Sequence, residues 1–310
     1  MAAVRHVVVG AGAVGAQVAA LLADRGEQVR LVTRSGSGPD HPAIGRVRAD
    51  ASDPDALTRL AEGASALYNC ANPPYYRWDT DWPPLAAALL GAAERTGAVL
   101  AVTSNLYGYG PCPMPMTERT PLTPTARKGR VRARMWQDAL AAHEAGRARV
   151  TEVRGSDYLG ATAQSFVHDR VVPALLAGKT AQVLGDPDAP HTWTAPQDAA
   201  RLLVVVAADR RAWGQAWHVP SHDPVTARGL VADLCRAAGV PTVAVKRIPP
   251  ALIRLGAVFS PVLRELPEVA YQHERPFVMD SSAARTAFGL EPTPWEVILA
   301  ETLAGPKRVS

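Results

Sequence analysis

Apolar residues in this chain follow two rhythms: short continuous runs, and stretches in which they return every three or four positions. The first run, Arg5-His-Val-Val-Val, breaks into Gly10-Ala-Gly-Ala-Val-Gly15 and resumes at helical spacing to residue 23. That pattern predicts strand, tight turn and helix. Further strands are expected over 28–33, 47–50, 65–70, 99–103 and 150–154. A helix capped by Asp53 with Pro54 at its first position follows the third strand, and another covers 85–96. The later pattern gives helices over 166–177, 199–207, 230–238, 250–258 and 295–303, with strands at 181–184 and 215–219. Strands that are apolar throughout and alternate with helices indicate an α/β fold, a doubly wound parallel sheet buried on both faces. Residues 1–160 are expected to form a dinucleotide-binding domain, completed by the returning strand at 215–219, and 161–310 mainly a smaller substrate-binding lobe.

The first turn carries the strongest chemical signal. Gly10 and Gly12 let the backbone turn and approach a pyrophosphate, Gly15 lets the helix pack on the strand, and free N–H groups at Ala13 and Val14 face the phosphates. An acidic residue at the end of the second strand would mark an NAD ribose; Thr33 and Arg34 stand there instead. A guanidinium suits a 2′-phosphate, which favours NADP while leaving NAD open, and a solvated loop arginine is the bland alternative. Asp50 and Ala51 end the third strand, where Asp50 either touches adenine or caps a turn. Ala71 and Asn72 follow the fourth strand on the same side. The next stretch, Pro73 to Pro84, holds Tyr75, Trp78 and Trp82 among four prolines; it reads as a substrate wall or lid, with core packing the equal alternative.

Composition changes this picture little. With 47% hydrophobic and 20% charged residues over 310 positions, the chain has the material for a large core. Arg5 before an apolar stretch imitates a signal peptide, but glycines and Gln17 interrupt it, so a cytoplasmic protein with no membrane partner is expected. A net charge of +4 with one basic stretch at 127–134 argues against nucleic acid. Cys70, Cys112 and Cys235 lie far apart without a C-x-x-C pair, and no metal-ligand spacing appears. Partner expectations reduce to a small-molecule substrate, with a homodimer left open.

The block Thr103-Ser-Asn-Leu-Tyr-Gly108, the glycine turn, Val150-Thr-Glu-Val-Arg154 followed by Tyr158-Leu-Gly, His191-Thr-Trp-Thr-Ala-Pro-Gln-Asp198 and Asp280-Ser-Ser-Ala-Ala-Arg285 together resemble the short-chain dehydrogenase/reductase superfamily, in its extended branch of sugar-nucleotide epimerases, dehydratases and related reductases. The likeness covers nearly the whole chain and implies a Rossmann fold. It makes Thr103 the hydroxyl that meets the reacting oxygen. Two departures stand out. The glycines read G-x-G-x-x-G with Val9 in front, and the family's Tyr-x-x-x-Lys falls on Lys128-Gly-Arg-Val-Arg132.

Residues four apart share a helix face, so Lys128 and Arg132 lie on one stripe. By the resemblance Arg132 holds the nicotinamide ribose and Lys128 becomes the proton donor; the alternative leaves both as a solvent- or phosphate-facing pair. Tyr158 and Tyr107 are substitutes for the missing phenol. Asn105, Tyr107, His191 and Trp193 join Tyr75, Trp78 and Trp82 as expected substrate contacts; His273 is another histidine that could face substrate. The reaction expected is reduction of a carbonyl or imine of a small molecule, with a redox-neutral epimerase, dehydratase or isomerase and a non-catalytic NADP sensor as alternatives.

Overall fold

The computed structural model describes residues 6–163 and 165–305. Arg5, where the sequence reading of the first strand begins, lies outside them. Seven parallel strands form the central sheet: β1 (His6–Val9), β2 (Val29–Thr33), β3 (Ile44–Arg48), β4 (Ala66–Asn69), β5 (Val99–Asn105), β6 (Arg149–Gly155) and, after three short strands elsewhere, β10 (Gln215–His218). Their order is β10-β6-β5-β4-β1-β2-β3. The chain therefore winds outward from β1 in both directions, and the switch between β1 and β4 opens a crevice at the carboxyl ends of the strands.

The period of two along each strand divides the core. Val8, Leu31, Tyr68, Ala101 and Val153 face α1 (Gly15–Asp24) and α6 (Pro196–Ala208). Val7, Val9, Val32, Leu67, Leu100 and Val102 face α2 (Pro54–Ala61), α3 (Trp78–Thr96) and α4 (Arg127–Glu144). Helix α6 and strand β10 thus complete the nucleotide layer although they lie in the carboxyl half of the chain. A third core joins Leu159, Val167 and Leu175 to Leu230, Leu234 and Leu299. It lies among α5 (Val172–Leu176), α7 (Ala227–Ala238) and, near the carboxyl end, α12 (Trp295–Ala304). Two small pairs hang from it: β7 (Asp157–Tyr158) with β9 (Trp193–Thr194), and β8 (Ala181–Val183) with β11 (Val245–Arg247). Helix α8 (Pro250–Gly256) packs on α9 (Pro261–Glu265), which meets the turn at Tyr75–Arg77; α10 (Tyr271–Glu274) follows, and α11 (Ser282–Phe288) packs beside β10.

The third strand, read over 47–50, runs Ile44–Arg48, and one helix departs further from expectation. The helix read as starting at residue 85 begins at Trp78, and Pro83 and Pro84 lie inside it. These prolines fall in its second turn, where each leaves one carbonyl of the first turn without its helical donor; the exposed start of α3 tolerates this, so proline marks no boundary here. No helix among the described residues is long and apolar enough to cross a membrane.

Candidate functional site

A cleft of about 1580 Å³ runs along the carboxyl edge of the sheet, from Arg34 at one end to Trp193 and His273 at the other. Its first part is backbone. Gly10 turns with φ +98°, and a Cβ there would lie 2.6 Å from the Cys70 carbonyl oxygen. A Cβ on Gly15 would overlap the Gly10 carbonyl, so the helix can start this close only with glycine at both places. Gly12 instead has open space, leaving room over the α1 N-terminus for a phosphate. This cradle fits a dinucleotide. Ala13 and Val14 line it, as do Thr33, Arg34, Asp50, Ala51, Ala71 and Asn72; Gly15 stands behind the wall. Asp50 is already engaged, accepting from the Ser52 amide at 2.9 Å and hydroxyl at 2.7 Å, bonds that hold its carboxyl below the usual range.

The middle of the cleft is set by α4. Gly129 lets its first turn press against the Tyr107 carbonyl, where a Cβ would overlap. One turn on, the buried Arg132 guanidinium stacks over Trp78 at 4.6 Å and Trp82 at 4.2 Å and reaches the Thr103 carbonyl at 3.5 Å. Burial pulls its pKa down to about 10, so it stays cationic, and its Nε has no partner. Thr103 lines the cleft with its hydroxyl 3.5 Å from the Cys70 sulfur, whose thiol burial pushes up to about 12. Tyr158 also faces the cleft. Its buried hydroxyl has no partner; burial raises its pKa, against the nearby Arg132 charge.

Lys128 is placed elsewhere. It is 2% exposed and does not line the cleft; its ammonium pairs with Glu265 and with Glu268 at 3.0 Å, and its amide donates to Glu268 at 2.6 Å. It stands behind Tyr75, 4.6 Å from the ring centre. The expected stripe is therefore split: Arg132 faces the cleft, and Lys128 fastens α4 to the returning carboxyl segment.

The far end is aromatic and polar. Tyr75 and Tyr107 share a hydrogen bond at 3.2 Å, and Tyr107 is pushed up to about 12 by burial. Trp78 lines the cleft and donates to the Pro73 carbonyl at 3.1 Å. Trp82 does not reach the cleft; fully buried, it belongs to the core, because α3 starts early enough to turn it inward. Asn105 lines the wall while its side chain accepts from the Tyr107 amide at 3.2 Å. His191 lies between Trp193 at 4.5 Å and Phe277 at 5.4 Å and stacks on His273 at 5.4 Å. Its Nδ1 meets the Gln272 carbonyl at 3.2 Å and its Nε2 faces an Asp157 oxygen at 3.2 Å. Burial pushes His273 down to about 4. Burial also raises the Asp157 carboxyl, but the two imidazoles outweigh it and hold the acid below its ordinary value.

Sequence reasoning passed over Asp157 and Gln272 as site residues. Asp157 adjoins Tyr158 on β7, a signal that was available; Gln272 and His273 arrive from a distant turn of helix that no spacing announces.

A family model described as "NAD dependent epimerase/dehydratase family" matches residues 6–219. Among solved structures, the chain is similar to a double mutant of a dTDP-glucose 4,6-dehydratase from Streptomyces venezuelae with NAD bound, at 20% identity and TM-score 0.77 over 97% of this chain and 96% of that one. An epimerase from Methanothermobacter thermautotrophicus aligns at 16% identity and TM-score 0.79, over 97% of this chain and 91% of its own. A UDP-N-acetylglucosamine 4-epimerase from Methanobrevibacter ruminantium, in complex with UDP-N-acetylmuramic acid, gives 16% and 0.79 over 98% of both. No curated protein matches the chain in sequence.

Proposed function

The chain belongs to the NAD dependent epimerase/dehydratase family, and from that premise we propose that it moves a hydride between a bound nicotinamide and an alcohol or carbonyl carbon of a small oxygenated molecule. The leading reading is redox-neutral, an epimerisation, dehydration or isomerisation in which one cofactor takes the hydride and returns it. The observation that carries this reading is the Tyr158 hydroxyl, unpartnered on the cleft wall within electrostatic reach of Arg132. A phenol so placed can give its proton to a developing alkoxide or take one from an alcohol, and the neighbouring guanidinium stabilises the phenolate.

The nicotinamide, when bound, supplies the hydride. The chain's own residues do the rest. The Gly10–Val14 turn holds the pyrophosphate, Arg132 offers N–H groups to ribose hydroxyls, and Thr103 donates to the reacting oxygen. Tyr75, Trp78, Tyr107 and Trp193 present flat apolar faces against which a sugar ring or base packs. Lys128 is reassigned from proton donor to clamp, because its ammonium is already committed to two carboxylates. A nucleotide sugar is the substrate class favoured by the structural relatives.

Arg34 favours a second reading. It lines the cleft beside Thr33, within electrostatic reach of Asp50, and there suits the 2′-phosphate of NADP. An NADPH-loaded site makes net reduction of a carbonyl or imine the natural chemistry. Incubation with UDP- and dTDP-sugars and simple ketones, with and without added NADPH, separates the two. Product formed at constant reduced-nicotinamide absorbance marks the redox-neutral cycle, and a stoichiometric fall marks the reductase. A chain that quenches neither NADPH nor NADH fluorescence on titration contradicts both.

A further inference from the structure

Asp157, His191 and His273 bring a carboxylate oxygen and two imidazole nitrogens within 4.8 Å of one another on the wall of the cleft. The Gln272 carbonyl can only accept, so the His191 Nδ1 beside it carries a proton, and in the neutral ring Nε2 keeps its lone pair. That nitrogen, on a ring 5% exposed, faces the Asp157 carboxylate across 3.2 Å and has no aligned hydrogen-bond partner. Two acceptors held this close in a buried place need a cation between them, either a proton on the ring or a metal ion. His273 Nε2 approaches the same carboxylate oxygen at 3.8 Å.

We propose that this trio is a binding site for a first-row divalent transition cation such as Zn²⁺. Two imidazoles and one carboxylate are the ligands such an ion prefers, and bond lengths of about 2.1 Å put tetrahedral ligand atoms roughly 3.4 Å apart. Two of the three separations, 3.2 and 3.8 Å, already bracket that value. The backbone carbonyl behind His191 is the orienting partner that a ligating histidine requires. Three protein ligands leave positions open toward the cleft, where the ion takes a hydroxyl, carboxylate or phosphate oxygen of the substrate and fixes it against Trp193 and Phe277. The site stands on its own ligands and does not depend on the hydride chemistry.

The test uses the whole chain, stripped with chelator and titrated with Zn²⁺ by calorimetry and with Co²⁺ by visible absorption. One equivalent should bind with micromolar or tighter affinity and develop Co²⁺ ligand-field bands. Asp157→Asn, nearly the same size, and His191→Ala should each weaken binding at least tenfold, and His222→Ala, whose ring bonds the Thr293 carbonyl, should leave it unchanged. In the unaltered chain, Zn²⁺ should shift the ring ¹⁵N resonances of His191 and His273 ahead of the other histidines. No binding at millimolar metal, or binding indifferent to both substitutions, or ring shifts at other histidines alone overturns the site. NADPH titrations of the same samples report separately on the nicotinamide reading.

Discussion

At one end of the cleft the surface proposed to meet the cofactor is backbone, Gly10 to Val14, and it is closed by contacts between neighbours in sequence and adjacent strands. At the other end Asp157, His191, Gln272 and His273 converge from three separate stretches of chain. The first end selects its ligand by leaving out side chains, and the second by gathering them. Glycine geometry tolerates no substitution where a Cβ has nowhere to go, whereas a gathered cluster can change chemistry one residue at a time. Such division suits a fold that keeps its cofactor and varies its substrate.

The largest effects should fall where the two ends are fastened together. Lys128→Met takes the buried cation from the half-buried Glu265 and Glu268, leaving them only Arg127 at 3.0 and 4.0 Å, a loss of up to about 3–5 kcal/mol, the range for breaking a buried pair. Denaturant melts should show that loss, while the folded fraction binds NADPH as before. Trp82→Ala should cost about 3–5 kcal/mol as well, the usual range for emptying a core tryptophan site. If Trp82→Ala melts normally yet weakens substrate, the ring belongs to the cleft after all.

Next comes chemistry. Tyr158→Phe should lower turnover by a factor of about a hundred to ten thousand with cofactor affinity unchanged, the range for loss of a general acid. A near-normal single-turnover rate in that variant moves the proton to a bound water or another group.

Acid should distinguish the cradle from the titrating half. His218, buried between Tyr109 at 2.7 Å and the Asp280 carbonyl at 2.7 Å, is pushed down to about 3, and His273 to about 4, both by burial. Each stays neutral in the folded chain while its unfolded counterpart takes a proton below the ordinary 6.5. The unfolded state then binds more protons, so stability falls as pH drops from 6.5 toward 4, by about 1.4 kcal/mol per unit for each group. His273→Asn should remove about half of that slope in pH-dependent melts; an unchanged slope places the titration elsewhere. The smallest effect belongs to the cofactor's rim. Arg34→Ala should weaken NADPH about tenfold and leave NADH alone, and equal losses for both would remove the basis for NADP.

The same contrast explains what the sequence disclosed. The sheet, its order of elements and the cradle were legible because they rest on periodicity and on glycines close together in the chain. Helix α3 was read short because Pro83 and Pro84 sit in its interior, where local rules place a boundary, and Trp82 was misplaced with it. Lys128 takes the proton in the sequence reading because it falls where the resembled family keeps its tyrosine, on one face with Arg132; the carboxylates that hold it lie 137 and 140 residues away. That Asp157, His191 and His273 meet is hidden for the same reason, since they come from distant stretches of the chain.

The central claim is that Arg132 belongs to the cofactor's surroundings and Lys128 to the clamp behind them. Fluorescence titration of NADPH into Arg132→Met and Lys128→Met, each at a temperature where circular dichroism shows it folded, reads this directly. The dissociation constant should rise at least tenfold in Arg132→Met and stay within twofold of the unaltered chain in Lys128→Met. The reverse pattern would contradict it.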